Sequence, residues 1–250
     1  MSDYLLETRD LSKDFHGFTA VNKVNLRVRK GSIHALIGPN GAGKSTVFNL
    51  VTKFLQPTAG TILFKGEDIT RARPEDIALR GLVRSFQISA VFPHLSVLEN
   101  VRVALQRPMN NWFSFWQSEK VLDRLNERAL ELVEAVGLGD HANQNAVALS
   151  YGRKRALEIA TTLALEPEML LLDEPMAGMG HEDIDRIAAL IRRVALNRTV
   201  LMVEHNLSVV ASLCDRITVL TRGAVLAEGS YREVSANEQV RSAYMGAAHA

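Results

Sequence analysis

The chain has 250 residues, enough for one large α/β domain or two small ones. Its 29 basic and 28 acidic residues give a net charge of +1, so no overall field favours nucleic acid as a partner. The single cysteine, Cys214, excludes a disulfide within the chain and is typical of a reducing compartment. The N-terminus lacks a signal-peptide pattern, and no apolar run approaches the ~20 residues of a membrane span, so we expect a soluble protein.

The first predicted strands lie on either side of a loop with two aromatic residues. Residues 5–11 and 21–28 are predicted as strands, and apolar and polar residues alternate in the second of them. The predicted loop over 13–18 holds Phe15 and Phe18. Either ring is a candidate platform for a nucleotide base, and the alternative, a core aromatic at the end of a loop, stays open.

The clearest motif of the chain is Gly38-Pro39-Asn40-Gly41-Ala42-Gly43-Lys44-Ser45-Thr46. The apolar run before it, 33–37, predicts a buried strand, and the spacing after it predicts a helix over 44–54. A strand, a glycine-rich loop and a helix in this order are typical of a phosphate-binding loop. Backbone N–H groups and the positive end of the helix would hold phosphates. Lys44 would reach the β- and γ-phosphates, and the Ser45 hydroxyl would ligate Mg²⁺.

Downstream of this loop the sequence predicts short strands and a short helix. A strand is predicted over 61–64, Pro74 opens a helix in a position that proline tolerates, and a strand follows over 82–86. Gln87 comes directly after that strand, where a polar side chain can face a ligand. Gln87 is therefore a candidate site residue.

The middle of the chain is predicted to be helical. Ser96 and Glu99 form a capping box, and 118–136 predicts a long amphipathic helix. Between these lies 107–117, which contains both tryptophans of the chain. These aromatic side chains form either a docking surface for a partner or a buried contact with neighbouring helices.

The sequence Leu-Ser-Tyr-Gly-Arg over 149–153 precedes another apolar helical pattern. Ser150 is suited to be the N-cap of this helix, because a serine hydroxyl accepts from the first free N–H groups. The same N–H groups make a helix start an anion site. From the residues alone, the plain cap and the anion site both stay open.

Two predicted buried strands are followed by candidate metal-binding and catalytic residues. A continuous apolar run over 169–172 precedes Asp173 and Glu174, and such a strand belongs inside a parallel sheet. Ligands bind at the carboxyl ends of strands in open α/β sheets, so Asp173 would hold Mg²⁺ and Glu174 would polarise an attacking water. The strand predicted over 199–203 leads to His205, a candidate contact to the γ-phosphate.

The last part of the chain predicts a helix, a hairpin and a closing helix. The first helix covers 182–195, the hairpin turns at Arg222-Gly223, and the closing helix covers 237–245. We find no internal repeat and no low-complexity segment.

The order of these motifs resembles the nucleotide-binding subunit of an ABC transporter over essentially the whole chain. Five motifs carry the resemblance: Walker A at 38–46, the Q-loop glutamine at Gln87, the signature at 149–153, Walker B with its catalytic glutamate at 170–174, and the H-loop histidine at His205. The adenine-stacking aromatic of the family falls near Phe15. A finer likeness, to the ATPase subunits of branched-chain amino-acid importers, is carried by 83–87, 98–101, 107–120, 149–152 and 243–246.

The resemblance implies an α/β fold of the P-loop NTPase type in a single ABC ATPase domain over 1–250. A RecA-like core with a mostly parallel sheet and an N-terminal antiparallel β part would cover 1–87 and 166–230. An inserted α-helical signature subdomain would cover 88–165, and a C-terminal helix would cover 231–250.

The resemblance also implies Mg²⁺-dependent hydrolysis of ATP. The catalytic residues that it implies are Glu174, His205, Lys44 and Gln87. The nucleotide contacts that it implies are Phe15, Gly38, Pro39, Asn40, Gly41, Ala42, Gly43, Lys44, Ser45, Thr46, Ser150 and Gly152. The metal ligands that it implies are Ser45, Gln87 and Asp173.

The partners implied by the resemblance are other proteins of a transporter. Two ATPase subunits, identical or paralogous, would sandwich ATP head to tail, and each phosphate loop would be completed by Ser150 and Gly152 of the other subunit. The pair would sit on membrane permease subunits at the cytoplasmic face of the inner membrane and serve a solute-binding protein indirectly, with no nucleic acid involved.

Two alternatives share these motifs. One is a soluble ABC ATPase that acts as a mechanical scaffold in cofactor assembly or on nucleic acid. The near-neutral charge and the absence of sustained heptads argue against the nucleic-acid form. The other is the ATPase of an export or lipopolysaccharide-type transporter.

Overall fold

The computed structural model describes residues 3–85, 91–106 and 119–246. The chain divides into two compact units. The first comprises Met1–Leu82, Glu168–Pro175 and Arg192–Ala250, and the second comprises Val83–Pro167 and Met176–Ile191. Gln87 and the tryptophan segment over 107–117 lie outside the described residues, so the expectations for them remain predictions.

The described part of the chain begins with four successive strands and continues as a mixture of helices and strands. The strands are β1 (Tyr4–Phe15), β2 (Phe18–Val24), β3 (Arg27–Arg29), β4 (Ile33–Ile37), β5 (Ala59–Phe64), β6 (Glu67–Asp68), β7 (Leu82–Ser85), β8 (Met169–Asp173), β9 (Thr199–Val203), β10 (Arg216–Thr221) and β11 (Ala224–Gly229). The helices are α1 (Lys44–Val51), α2 (Pro74–Leu79), α3 (Val97–Gln106), α4 (Glu119–Ala135), α5 (Tyr151–Leu163), α6 (His181–Ala195), α7 (Leu207–Leu213), α8 (Tyr231–Ala236) and α9 (Glu238–Gly246).

An antiparallel sheet forms the N-terminal part of the first unit. Its strand order is β2-β1-β5-β6, and β3 also pairs with β1. The loop predicted over 13–18 is wrong, because Asp14 pairs with Thr19 and Phe15 with Phe18. The turn is only two residues, His16 and Gly17, at φ 44° and 92°, and positive φ at both positions suits a tight hairpin.

The single strand predicted over 21–28 is also wrong, since it is divided between β2 and β3. Asn25 lies at the break, where its side-chain oxygen accepts from Asp10 N at 2.9 Å and its amide donates to Lys23 O at 3.1 Å. These bonds between the Asn25 side chain and the backbone replace the regular ladder at this point.

A second, largely parallel sheet occupies the centre of the first unit. Its strands run in the order β11-β10-β4-β9-β8, and β10, β4, β9 and β8 are parallel neighbours. Every residue of β4, β8 and β9 is buried, which confirms the three buried strands predicted from the sequence. The carboxyl ends of parallel strands meet at one edge, so the segments that follow β4, β8 and β9 share that edge.

The hydrophobic core of the first unit joins the parallel sheet to α1. Phe48 and Leu50 of α1 are fully buried with Leu36, Leu171 and Leu201 of the sheet. Burial of one such side chain is worth ~1.5–3 kcal/mol. This packing holds α1, and with it the loop that precedes α1, against the end of β4.

The second unit is mainly helical. Ser96 N donates to Glu99 Oε2 at 2.7 Å and Glu99 N to Ser96 Oγ at 3.2 Å, which confirms the capping box at the start of α3. On α5, Arg155 and Glu158 are buried and form an ion pair with 2.5 Å between Nη1 and Oε2. Among the described residues, no helix has the length and hydropathy needed to cross a bilayer.

Candidate nucleotide site

The phosphate loop lies between β4 and α1, as the sequence predicts. Gly38 has φ 152° and Gly43 has φ 100°, the second of which is a left-handed conformation that favours glycine. A Cβ on Gly38 would collide with the carbonyl oxygen of Leu220 at the end of β10. Glycine is therefore needed at Gly38 for close packing and at Gly43 for its backbone conformation.

The start of α1 is suited to an anion. Its N-cap is Gly43, which has no side chain that could cap the helix, and the first turn carries no acidic residue. The first N–H groups of a helix have no partner within the helix. Asn40, Gly41 and Ser45 are exposed, so this end of the loop is open to a phosphate group.

Lys44 curls back into the loop that precedes it. Its side-chain ammonium donates to Gly38 O at 2.7 Å and to Pro39 O at 3.0 Å, and the residue is only 6% exposed. Burial lowers the pKa of Lys44, and the charges of Glu174 and Asp173 oppose this shift. The ammonium is thus held within the loop, close to two carboxylates.

Glu174 follows β8 in a strained backbone conformation. Its φ is 46°, in the left-handed region that side chains rarely adopt, and its N–H donates to Val203 O at 2.9 Å. The carboxylate Oε1 lies 2.7 Å from Nε2 of His205. Both side chains remain partly exposed, at 36% and 42%. The structure therefore brings together Glu174 and His205, which are candidate catalytic residues that follow separate strands.

The turn that carries His205 is fixed by two residues that the sequence reasoning missed. The buried Glu204 accepts at Oε2 from the N–H groups of His205 and Asn206, at 3.0 and 3.2 Å. The side chain of Asn206 accepts from Ser208 N and Val209 N and caps α7. The signal in the sequence was an N-capping asparagine before an apolar helical pattern, which predicts a helix start.

Phe15 and Phe18 lie opposite each other beside the β1–β2 turn. They are 38% and 67% exposed, so the interpretation of these rings as core residues is wrong. The ammonium of Lys13 lies 5.2 Å from the centre of the Phe15 ring. An exposed ring is compatible with base stacking, and this role of Phe15 stays a prediction.

In the second unit, Ser150 and Gly152 stand at the start of α5. Ser150 is the N-cap and accepts from Arg153 N at 3.5 Å, which confirms the plain cap. A Cβ on Gly152 would lie 2.5 Å from the carboxyl carbon of Asp183. A side chain at Gly152 would therefore force Asp183 to move. An anion at this helix start stays a prediction.

The described residues of the first unit are suited to bind a magnesium ion only if the phosphates of a substrate supply further ligands. Across the described residues, no three His, Cys, Asp or Glu side chains gather as a metal site. Mg²⁺ is usually held by one or two carboxylates plus the phosphates of its substrate. Asp173 is buried at the end of β8, and Ser45 is exposed in the first turn of α1. A carboxylate and a hydroxyl beside a phosphate loop suit that mode of binding.

Comparison with known families agrees with this geometry. The ABC transporter family model matches residues 21–177, more than half of the chain. The chain therefore belongs to the ABC transporter family, and it is an ATP-binding and ATP-hydrolysing cassette of the P-loop type. The fold class and the family expected from the sequence are confirmed. A second model, of the branched-chain amino acid ATP-binding cassette transporter, matches residues 224–250.

Two relatives are similar over their full length. The chain is 40% identical to BraF, a high-affinity branched-chain amino acid transport ATP-binding protein of Pseudomonas aeruginosa, over 99% of this chain and 100% of BraF. It is 38% identical to LivG, which has the same description, from Escherichia coli K12, over 99% of this chain and 100% of LivG.

Solved structures of cassettes have the same fold. The ADP conformation of MJ1267, an ATP-binding cassette of an ABC transporter, matches with a TM-score of 0.86 and 28% identity over 98% of this chain and 100% of that one. The dimeric structure of MJ0796, a bacterial ABC transporter cassette, matches with a TM-score of 0.75 and 26% identity over 91% and 99%.

Proposed function

We propose that this chain powers an importer for branched-chain amino acids or related small solutes. The observation that carries the solute class is the full-length similarity to BraF and LivG, at 40% and 38% identity. The match of residues 224–250 to the branched-chain cassette model supports the same assignment. The solute itself would contact other subunits.

The chemistry that we propose is positioning and charge stabilisation without a covalent intermediate. Lys44 binds the β- and γ-phosphates, and the Phe15 ring stacks on the base. Glu174 orients a water molecule and accepts its proton. His205 holds the Glu174 carboxylate, a role supported by the 2.7 Å contact between these two side chains. His205 also contacts the γ-phosphate.

We also propose that Mg²⁺ is bound by Ser45, Asp173 and Gln87. The ion supplies positive charge that neutralises the phosphate oxygens. The remaining nucleotide contacts are those of the phosphate loop, namely Gly38, Pro39, Asn40, Gly41, Ala42, Gly43 and Thr46.

The working unit that we propose is a head-to-tail pair of ATPase subunits on the cytoplasmic face of the membrane. In this pair, Ser150 and Gly152 of each subunit complete the phosphate site of the other. The similarity to the dimeric MJ0796 cassette supports this arrangement. The pair is a homodimer or a heterodimer with a paralogue, and it acts on permease subunits that receive solute from a binding protein.

Reconstitution tests the solute class and the partners together. The chain is co-purified in detergent with co-expressed permease subunits, placed in vesicles with a solute-binding protein, and supplied with internal ATP and external radiolabelled leucine. We expect uptake that requires ATP and is lost with Glu174→Gln. ATP hydrolysis without co-purifying membrane subunits would favour a soluble scaffold. Outward movement of a lipid substrate would favour an exporter.

A further inference from the structure

Three backbone segments that are distant in sequence meet beside the phosphate loop. We call this meeting point the glycine junction, formed by Ala20 of β2, Gly43 of the phosphate loop and Gly223 of the β10–β11 turn. A Cβ on Gly43 would lie 2.6 Å from Ala20 O, and a Cβ on Gly223 would lie 2.7 Å from the same oxygen. Both are closer than real Cβ atoms come to a backbone oxygen, so each position requires glycine for its contact as well as for its φ.

Gly223 is bonded on both sides of this junction. Its N–H donates to Ala42 O in the phosphate loop at 3.0 Å. Its carbonyl accepts from Asn22 N in β2 at 2.8 Å. One turn glycine therefore ties the phosphate loop to the strand that starts at the exposed aromatic Phe18.

The β10–β11 hairpin also contacts the other end of the loop. Gly38, where the loop begins, packs against the carbonyl of Leu220 in β10. Segments that follow residue 216 thus hold the loop at its start and at its end.

We propose that Gly223 is a positioning residue, which sets the conformation of the phosphate loop before nucleotide binds. This inference rests on the proposed role of the loop in binding nucleotide. Preorganised loops bind more tightly because they lose less conformational freedom, and a misplacement of ~1 Å can cost ~10²-fold in activity. Gly223 itself bears no group that acts on the substrate, so it acts through Ala42 and Gly43.

The chain offers a matched control for a substitution at Gly223. Gly223 has φ 78° and Gly66 has φ 80°, so alanine introduces similar backbone strain at both positions. A Cβ on Gly66 meets nothing within 4 Å, whereas a Cβ on Gly223 meets Ala20 O. The two variants therefore differ in the contact at the junction and not in φ.

Calorimetry measures how tightly Gly223→Ala and Gly66→Ala bind ADP and inorganic pyrophosphate. The temperature is kept below the melting temperature of both variants. We expect Gly66→Ala to bind like the wild type and Gly223→Ala to bind both ligands ~10-fold or more weakly, a factor equivalent to ~1.4 kcal/mol. Pyrophosphate has no base, so an equal loss for both ligands locates the effect at the phosphate loop. Equal affinities of the two folded variants would overturn the proposal.

A second measurement uses the wild-type protein, so it does not depend on the folding of a variant. Hydrogen exchange is followed at the N–H groups of Gly223 and Asn22 with and without ADP. The control is Lys65 N, which donates to Leu5 O at 2.8 Å in the same unit. We expect ADP to increase protection at Gly223 and Asn22 beyond any increase at Lys65. Equal changes at all three amides would contradict the proposed link between Gly223 and the phosphate loop.

The Lys44→Ala variant separates failure of this inference from failure of the proposed site. Lys44→Ala is expected to lose most of the affinity for pyrophosphate, because the ammonium is held inside the loop. Unchanged binding by Lys44→Ala would reject the nucleotide site. Weak binding by Lys44→Ala together with normal binding by Gly223→Ala would reject only the positioning role of Gly223.

Discussion

Glu174 combines an unfavourable backbone conformation with a defined hydrogen-bond partner. A non-glycine residue in the left-handed region costs about 1–3 kcal/mol and persists only where its surroundings impose it. Here the bond from Glu174 N to Val203 O and the contact with His205 supply that constraint. The carboxylate lies 2.7 Å from Nε2 of His205, an arrangement that suits a role for Glu174 in orienting water.

Glu174→Gln is expected to slow ATP hydrolysis strongly while leaving nucleotide binding intact. Glutamine keeps the shape of the side chain but cannot accept a proton, and general-base contributions are typically ~10²–10⁴-fold. With ATP held intact, the pair of subunits should persist in Mg-ATP and separate in Mg-ADP. Phosphate release and size-exclusion chromatography with light scattering measure the two effects.

One result would contradict the prediction for Glu174→Gln. Near-normal hydrolysis by a folded Glu174→Gln protein would remove Glu174 from the catalytic role. Lys44→Ala serves as the comparison, because it should lose binding as well as hydrolysis. A monomer of the isolated variant would not bear on catalysis, since permease subunits can be required for pairing.

Cys214 is expected to be chemically inert in the folded protein. Burial raises the pKa of its thiol to about 12, and the charges of Asp215 and Glu204 act in the same direction. The sulfur lies 3.8 Å from the sulfur of Met202. Because the thiolate is the reactive form, alkylation by iodoacetamide at pH 8 should be far slower than in denaturant. Mass spectrometry of timed samples tests this, and equal rates in both states would contradict it.

At the scale of secondary-structure elements, the short helix α7 affects both the stability of the fold and the position of His205. Its N-cap, Asn206, follows His205 directly and is bonded to Glu204 through its own N–H. Loss of the cap would loosen the first turn of α7 and the backbone that carries His205. The helix start therefore positions the backbone of a candidate catalytic residue.

Asn206→Ala is expected to lower both the stability and the rate of ATP hydrolysis. Removal of an N-cap costs about 0.5–2 kcal/mol. The matched control is Ser230→Ala, which removes the capping box of α8 and leaves the turn of His205 untouched. Both variants should melt at lower temperature, and only Asn206→Ala should lose kcat. Equal kcat values for the two variants would show that α7 has no positioning role.

At the scale of the whole molecule, two buried groups give opposing pH dependences of the free energy of unfolding. Burial lowers the pKa of His34 from 6.5 to about 4, so the unfolded chain binds more protons in this range. That contribution is present above pH 6.5 and is lost as the pH falls towards 4. Burial raises the pKa of Glu158 from 4.5 to about 7, although Arg155 opposes the shift. That contribution is present below pH 4.5 and is lost as the pH rises to 7.

Glu158→Gln is expected to change the pH dependence of stability in a defined direction. Relative to this variant, the wild type should lose stability between pH 5 and pH 7, because the folded chain keeps a proton there that the unfolded chain has already released. Glu166→Gln is the control, since the Glu166 side chain is 75% exposed. Urea unfolding of the three proteins at several pH values measures the effect. Parallel curves for wild type and Glu158→Gln would contradict it.

Much of the fold and part of the site could be predicted because their determinants lie close together in the chain. The phosphate loop is a run of adjacent residues between an apolar strand and a helix. The capping box of Ser96 and Glu99 spans one turn of helix. The buried strands over 33–37, 169–173 and 199–203 are runs of mainly apolar residues, each with a single polar position. Each of these depends on propensities and hydrogen bonds of neighbouring residues, which one sequence records directly.

The tertiary structure alone decided which distant residues meet. Glu174 and His205 are 31 residues apart, and their 2.7 Å contact depends on the parallel pairing of β8 with β9. The bond of Gly223 to Ala42 likewise requires β10 to lie beside β4. A hydrogen bond across a sheet leaves no periodic pattern in either segment. A single sequence therefore indicates the candidate residues, whereas the sheet register determines which of them become partners.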